Sequence, residues 1–82
     1  MPRRLHLIVH AKVAADTRLM AAVEEVRGRG VEVAEELTEG PGSAARLAEA
    51  AVRGGSPAVV AAGGDGTLYE VLQGVAAAGL PA

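Results

Sequence analysis

The sequence predicts an α/β fold, in which a three-layer parallel sheet is built from alternating strands and helices. Short apolar runs that suit buried strands alternate with segments whose apolar residues recur every three or four positions, as on one face of a helix. Short glycine-containing joints separate these segments. This alternation is typical of a parallel sheet that carries helices on its faces. With 82 residues, the chain is at most one small domain.

The first two elements are a strand and a helix. Leu5 to Val9 is a short apolar run with β-branched residues at its end, which suits an inner strand. Asp16 is a good N-cap, because its carboxylate can accept hydrogen bonds from the free N–H groups of a first helical turn. Gly28 or Gly30 is expected to end this helix. Its predicted buried stripe consists of Leu19, Met20, Val23 and Val26.

The second strand is predicted over Val31 to Leu37, where apolar and acidic residues alternate. Glu35 interrupts the apolar face, so we expect an edge strand. Residues 38–43, TEGPGS, then form a turn because they combine proline, glycine and small polar residues.

The second helix is predicted to begin with Ser43 as its cap and to end at Gly54 and Gly55. Its apolar residues recur at helical spacing, which predicts one buried face. That face consists of Ala44, Leu47, Ala48, Ala51 and Val52.

The third strand and third helix follow directly. Ala58 to Ala62 has no polar face, so we expect a strand that is covered on both sides and central in the sheet. The third helix is predicted to end at Gly79, and a fourth strand would start at Leu80. The predicted buried stripe of the third helix consists of Leu68, Val71, Leu72 and Val75.

Composition excludes several classes of protein. The chain has no cysteine, which excludes disulfide scaffolds and zinc sites that contain cysteine. A net charge of -2 and a single aromatic residue, Tyr69, argue against a nucleic-acid partner. No apolar run approaches the length of about 20 residues that a transmembrane helix needs. We expect a soluble, cytoplasmic protein.

The joint before the third helix has the composition of a phosphate-binding loop. Gly63, Gly64 and Gly66 remove side chains that would keep a phosphate away, and they permit positive φ angles. The free N–H groups of a helix N-terminus attract anions. Thr67 can supply a hydroxyl, and Asp65 could orient the loop or approach a phosphate-bound Mg²⁺.

Residues after the other two strands are expected at the same edge of the sheet. His10 and Lys12 follow the first strand and Thr38 follows the second. Parallel strands end at one edge, where open α/β sheets bind their ligands. His6 and His10 would lie roughly 13 Å apart along a strand, too far to share a metal ion.

Each of these residues also has a purely structural interpretation. The glycines could serve simply to let the chain turn, without binding a ligand, and Asp65 could be a helix N-cap. Thr38 could be a turn residue and Lys12 a solvated side chain. The acidic residues Glu35, Glu36 and Glu39 are interpreted as a solvated surface.

A family resemblance adds to these observations. GGDGTLYEVLQG, Gly63 to Gly74, resembles the GGDGTxNEVxxG signature of the diacylglycerol kinase catalytic-domain family. The whole chain resembles the start of the YegS-type bacterial lipid kinases in that family. The resemblance implies an incomplete N-terminal nucleotide-binding domain that uses ATP and Mg²⁺. The ATP site would consist of Thr38, Gly63, Gly64, Asp65, Gly66, Thr67, Leu68, Tyr69 and Glu70, together with His10 and Lys12.

The sequence departs from the family pattern at three positions. His10 and Tyr69 stand where the family has asparagine, and Ala62 stands where YegS-type chains often have glycine. At His10 and Tyr69 the sequence lacks the family's side-chain amide, which can both donate and accept a hydrogen bond.

The resemblance also predicts what this chain does not contain. Family members continue with another strand and a β-rich domain that supplies the lipid cleft, a metal site and a catalytic carboxylate. Residues 1–82 would thus be a partial ATP-binding domain without the lipid-binding β-domain and without a catalytic residue. The whole enzyme would transfer the γ-phosphate of ATP to a lipid hydroxyl, with peripheral membrane contact through the missing part. We expect the isolated chain to be inactive.

Two other functions stay open. NAD kinases share the GGDGT core, so the chain could be part of an enzyme that phosphorylates a dinucleotide ribose. It could also be an autonomous, non-enzymatic nucleotide-binding module.

Overall fold

The computed structural model describes residues 3–79 and has the predicted α/β architecture. Strands and helices alternate along the chain, with one short 3-10 turn at Ala11–Val13. The strands are β1, Arg3–Val9; β2, Val31–Leu37; and β3, Val59–Ala62. The helices are α1, Thr17–Gly28; α2, Ser43–Arg53; and α3, Asp65–Ala77. No helix in this range is long and apolar enough to cross a membrane.

The sheet has the strand order β2-β1-β3, and all its strands are parallel. The central strand is therefore β1, and within residues 3–79 β3 pairs with β1 alone. The prediction that β3 lies centrally is wrong for this sheet, and the Val60 side chain is 42% exposed. Both β3 and the last three residues of β1, Leu7 to Val9, are apolar on two faces, and composition cannot distinguish a central strand from an apolar strand at an edge. The predicted edge position of β2 is confirmed.

The three predicted layers are confirmed. On one face of the sheet, α1 covers Leu7 and Val9 through a core that includes Val23 of the helix. On the other face, α2 and α3 together cover Ile8, which is fully buried. Alternate residues of β1 thus anchor two separate cores, as the pleat of a strand requires.

Helix α1 is capped as its sequence predicts. The Asp16 carboxylate accepts hydrogen bonds from the backbone N–H groups of Arg18, at 2.8 Å, and Leu19, at 3.2 Å. The Arg18 side chain and these N–H groups lower the pKa of the Asp16 carboxyl. Gly30, with φ of 88°, reverses the chain after the helix. Met20 is 54% exposed, so its predicted place in the buried stripe is wrong.

The predicted cap of α2 is wrong by one residue. The N-cap is Gly42, at φ of 81°, and Ser43 is the first residue of the helix. The Ser43 hydroxyl instead accepts a hydrogen bond from the backbone N–H of Glu39, at 3.0 Å. A left-handed N-cap admits glycine more readily than serine, which explains the shift.

Helix α3 buries only part of the predicted stripe, and Val75 packs against the core as predicted. Val71 is buried, but Leu68 is 51% and Leu72 57% exposed. The buried residues are Thr67, Val71 and Gly74. A Cβ at Gly74 would collide with the carbonyl oxygen of Ala45 in α2. Contact with α2 therefore rotates the buried face away from the two leucines.

Candidate functional site

The carboxyl ends of all three strands meet at one edge of the sheet and surround a cleft. Backbone bonds join the ends: the Thr38 N–H donates to the Val9 carbonyl, at 2.9 Å, and the His10 N–H donates to the Ala62 carbonyl, at 2.8 Å. The cleft has a volume of about 690 Å³. It is bordered by the three segments that follow β1, β2 and β3, so its position is the one that the parallel arrangement predicts.

Most of the predicted site residues line this cleft. They are His10, Lys12, Thr38, Gly63, Gly64, Gly66, Thr67 and Glu70. Three other predicted residues, Asp65, Leu68 and Tyr69, are exposed and lie outside the lining. Asp65 is the first residue of α3. The structure thus brings the glycine loop, the β1 end and the β2 end together, and it leaves the outer side of the first α3 turn in solvent.

Sequence reasoning missed part of the wall. The turn after β2 contributes Glu39, Gly40 and Pro41, and other segments at this edge contribute Val13 and Ala44. The signal was present in the proline and glycines that directly follow the end of a parallel strand. These residue types mark a turn, and a turn at this edge necessarily borders the ligand position.

The structure contradicts one of the two roles predicted for the glycines of the loop. None of Gly63, Gly64 and Gly66 has a positive φ, so the predicted use of left-handed backbone is wrong. Gly63 is required sterically, since a Cβ there would lie 2.6 Å from the Thr67 Oγ1 and 2.9 Å from the His10 Cβ. At Gly64 and Gly66 a Cβ would meet nothing within 4 Å. Glycine at these two positions leaves open space in the cleft.

The N-terminus of α3 points polar groups toward the same space. Its N-cap, Gly64, has no side chain that could accept hydrogen bonds from the first turn. Thr67 is only 6% exposed and lines the cleft. Uncapped N–H groups and the positive end of the helix dipole favour a bound anion.

His10 fixes the turn that follows β1. Its Nδ1 accepts a hydrogen bond from the backbone N–H of Lys12, at 3.0 Å, and it is the N-cap of the 3-10 turn. In a neutral ring this bond leaves the proton on Nε2, which becomes a hydrogen-bond donor. The imidazole thus supplies both an acceptor and a donor, the two capacities of the asparagine amide that the family pattern predicts here.

Charged side chains around the cleft are few. Lys12 is exposed at its border, and the carboxylates of Glu39 and Glu70 are the acidic groups of the lining. Over residues 3–79 no group of three or more His, Cys, Asp or Glu residues is arranged to hold a metal ion. His6 lies outside this lining, and its Nε2 is 2.9 Å from the Glu36 Oε1.

Comparisons with known proteins agree with this geometry. The sequence model of the "Diacylglycerol kinase catalytic domain" matches residues 4–82. A "Probable lipid kinase YegS-like" of Pseudomonas fluorescens strain Pf0-1 is 40% identical over 74 residues, which are 90% of this chain and 24% of that protein. One of strain Pf-5 is 39% identical over 80 residues, 98% of this chain and 27% of that protein.

A third relative has the same printed name. The "Probable lipid kinase YegS-like" of Pseudomonas aeruginosa strain UCBPP-PA14 is 41% identical over 70 residues, 85% of this chain and 23% of that protein. The chain therefore spans about a quarter of the length of the curated relatives it matches. The family match extends through all three strand ends of the cleft. The chain belongs to the diacylglycerol kinase catalytic domain family, a family of lipid kinases.

Proposed function

We propose that this chain is the nucleotide-binding part of an ATP-dependent lipid kinase, which transfers the γ-phosphate of ATP to a lipid hydroxyl. One observation carries the proposal: three parallel strand ends and an uncapped helix N-terminus converge on a single cleft. Its volume of about 690 Å³ suits a nucleotide-sized ligand. In this proposal, residues 1–82 are a partial catalytic domain, and the lipid-binding β-domain belongs to the rest of the enzyme.

The α3 N-terminus would hold the phosphates. Gly64 and Gly66 leave space for phosphate oxygens to approach the backbone, since neither position has a neighbour within 4 Å of an added Cβ. Thr67 and the Nε2–H of His10 would donate hydrogen bonds, and Lys12 would add positive charge. Thr38 and Glu70 complete the proposed contacts across the cleft.

The exposed residues of the first α3 turn fit the proposed ATP site less directly. Asp65, Leu68 and Tyr69 lie outside the lining, so contact with ATP would have to come from the outer side of the turn. Asp65 would reach Mg²⁺ only as an ion carried by the phosphates, because residues 3–79 form no metal-ligand cluster of their own. Magnesium would neutralise phosphate charge during transfer.

The chain alone would bind nucleotide without turning it over. Phosphoryl transfer requires an oriented acceptor hydroxyl as well as a positioned donor, and the cleft supplies the donor side only. The relatives are named as probable lipid kinases, which favours a lipid alcohol over a dinucleotide ribose as the proposed acceptor. The whole enzyme is proposed to act in the cytoplasm with peripheral membrane contact.

Titration of the 82-residue chain with ATP and Mg²⁺ by isothermal calorimetry tests the proposal. Gly64→Val should abolish binding, because the side chain enters open space in the cleft at an ordinary backbone conformation. Gly28→Val is the matched control: Gly28 also has an ordinary φ and no neighbour within 4 Å, and it ends α1. Absence of ATP binding by the unmodified chain would refute the proposal. Phosphorylation of diacylglycerol by this chain alone would refute the proposal that the isolated chain is inactive.

A further inference from the structure

One wall of the cleft is a turn whose glycine content would make it flexible without further bonds. Residues 38–42 connect β2 to α2, and Thr38, Glu39, Gly40 and Pro41 line the cleft. Gly40 has φ of 154° and Gly42 has φ of 81°, so the turn depends on backbone conformations that few residues adopt. Glycine-rich segments lose more conformational entropy on ordering than others, so such a turn needs specific bonds to hold it.

Ser43 makes two of those bonds. Its hydroxyl accepts a hydrogen bond from the Glu39 N–H, at 3.0 Å, and its own N–H donates to the Gly40 carbonyl, at 3.1 Å. At the other end of the turn, the Thr38 N–H donates to the Val9 carbonyl in β1. The turn is therefore bonded to the sheet at Thr38 and to the first residue of α2 at Ser43.

The Ser43 side chain is well placed to be a fixed point. It is only 5% exposed, and the next residue, Ala44, is buried in the core beneath α2. Ser43 is not among the residues that line the cleft. Any effect of its hydroxyl on a ligand must therefore be transmitted through Glu39 and the turn.

We infer that Ser43 is a positioning residue for the nucleotide: its hydroxyl holds the Thr38–Pro41 wall at the distance from the glycine loop that a bound nucleotide requires. This inference rests on the proposed function, because it assigns a role in that same cleft. Removing the hydroxyl frees the Glu39 N–H and lets the turn sample wider conformations. Ordering the turn again on binding then lowers the affinity for ATP.

The experiment compares Ser43→Ala with Ser56→Ala in the 82-residue chain. Ser56 is the matched control, because its hydroxyl donates to the Ala58 carbonyl, at 3.0 Å, in the turn that follows α2 and lies outside the cleft lining. Ser43→Ala should speed hydrogen exchange of the Glu39 amide and raise the Kd for ATP about 3- to 10-fold, the effect of one lost hydrogen bond. Ser56→Ala should leave both quantities unchanged. Thermal unfolding of both variants separates a loss of affinity from a loss of stability.

Each outcome is decisive. An unchanged Kd in Ser43→Ala, with wild-type binding intact, would overturn this inference and leave the proposed function standing. Failure of the wild type to bind ATP would overturn both. If Ser43→Ala does not fold, Ser43→Cys decides, since the thiol keeps the shape of serine but accepts hydrogen bonds weakly. A raised Kd in Ser43→Cys supports the inference, and an unchanged Kd overturns it.

Discussion

Gly66→Ala should raise the stability of the fold and lower its affinity for ATP. Gly66 is the second residue of α3, its φ is not positive, and an added Cβ meets nothing within 4 Å. Alanine is favoured over glycine in a helix, so the free energy of unfolding should rise by about 0.5 kcal/mol. For a domain of this size that raises the Tm by about 2–4 °C.

The same methyl group enters the cleft where phosphate is proposed to contact the first turn of α3. Loss of a hydrogen bond to a charged group costs about 1.5–3 kcal/mol, so the Kd for ATP should rise about tenfold to a hundredfold. Thermal unfolding without nucleotide and calorimetric titration with ATP measure the two effects. Gly28→Ala, at the end of α1, should raise stability without changing the Kd. An unchanged Kd in Gly66→Ala would refute the proposed role of this glycine in keeping the cleft open.

Three further changes test other parts of the structure. Gly74→Ala should lower the free energy of unfolding by about 1–3 kcal/mol, because the added methyl group collides with the Ala45 carbonyl. Urea titration measures this change, and an unchanged midpoint of urea unfolding would contradict this packing. The lowered pKa of Asp16 means that its ionised form stabilises the fold above the unfolded pKa of about 3.9 and that this contribution is lost as pH falls through the folded pKa. Asp16→Asn should thus flatten the loss of stability below about pH 4, and an identical pH profile would contradict the cap's role. His10→Ala should speed hydrogen exchange of the Lys12 amide, whereas His10→Asn should not, since an amide oxygen also accepts that bond; equal exchange in both variants would contradict the turn geometry.

Local signals predicted the elements and most of their ends. Asp16 caps α1, and Gly30 and Gly55 adopt positive φ where the first two helices end. These features depend on a few neighbouring residues, which the sequence shows directly. The cap of α2 lies one residue before the predicted Ser43, because the left-handed backbone at Gly42 is set by the turn as a whole.

Features that depend on distant partners were not predictable in the same way. Leu68 and Leu72 have helical spacing, yet they are exposed because Gly74 brings α3 against α2. The edge position of β3 depends on which strand pairs beside it. The cleft itself was largely predicted, because the rule for parallel strand ends is topological. Its Glu39 to Pro41 wall was missed, because these residue types indicate a turn but carry no ligand-binding motif of their own.

Because the strand order is β2-β1-β3, the cleft is complete only when both strand pairs have formed. Strand β1 must pair with Val31 to Leu37 on one side and with Val59 to Ala62 on the other, so two loops of very different length have to close before three strand ends meet. No partly folded chain with one pair of strands contains the complete cleft. Under the proposed function, ATP therefore binds only the finished fold and acts as a folding ligand. At a concentration of about 100 times its Kd, it would add about 2.7 kcal/mol to the free energy of unfolding.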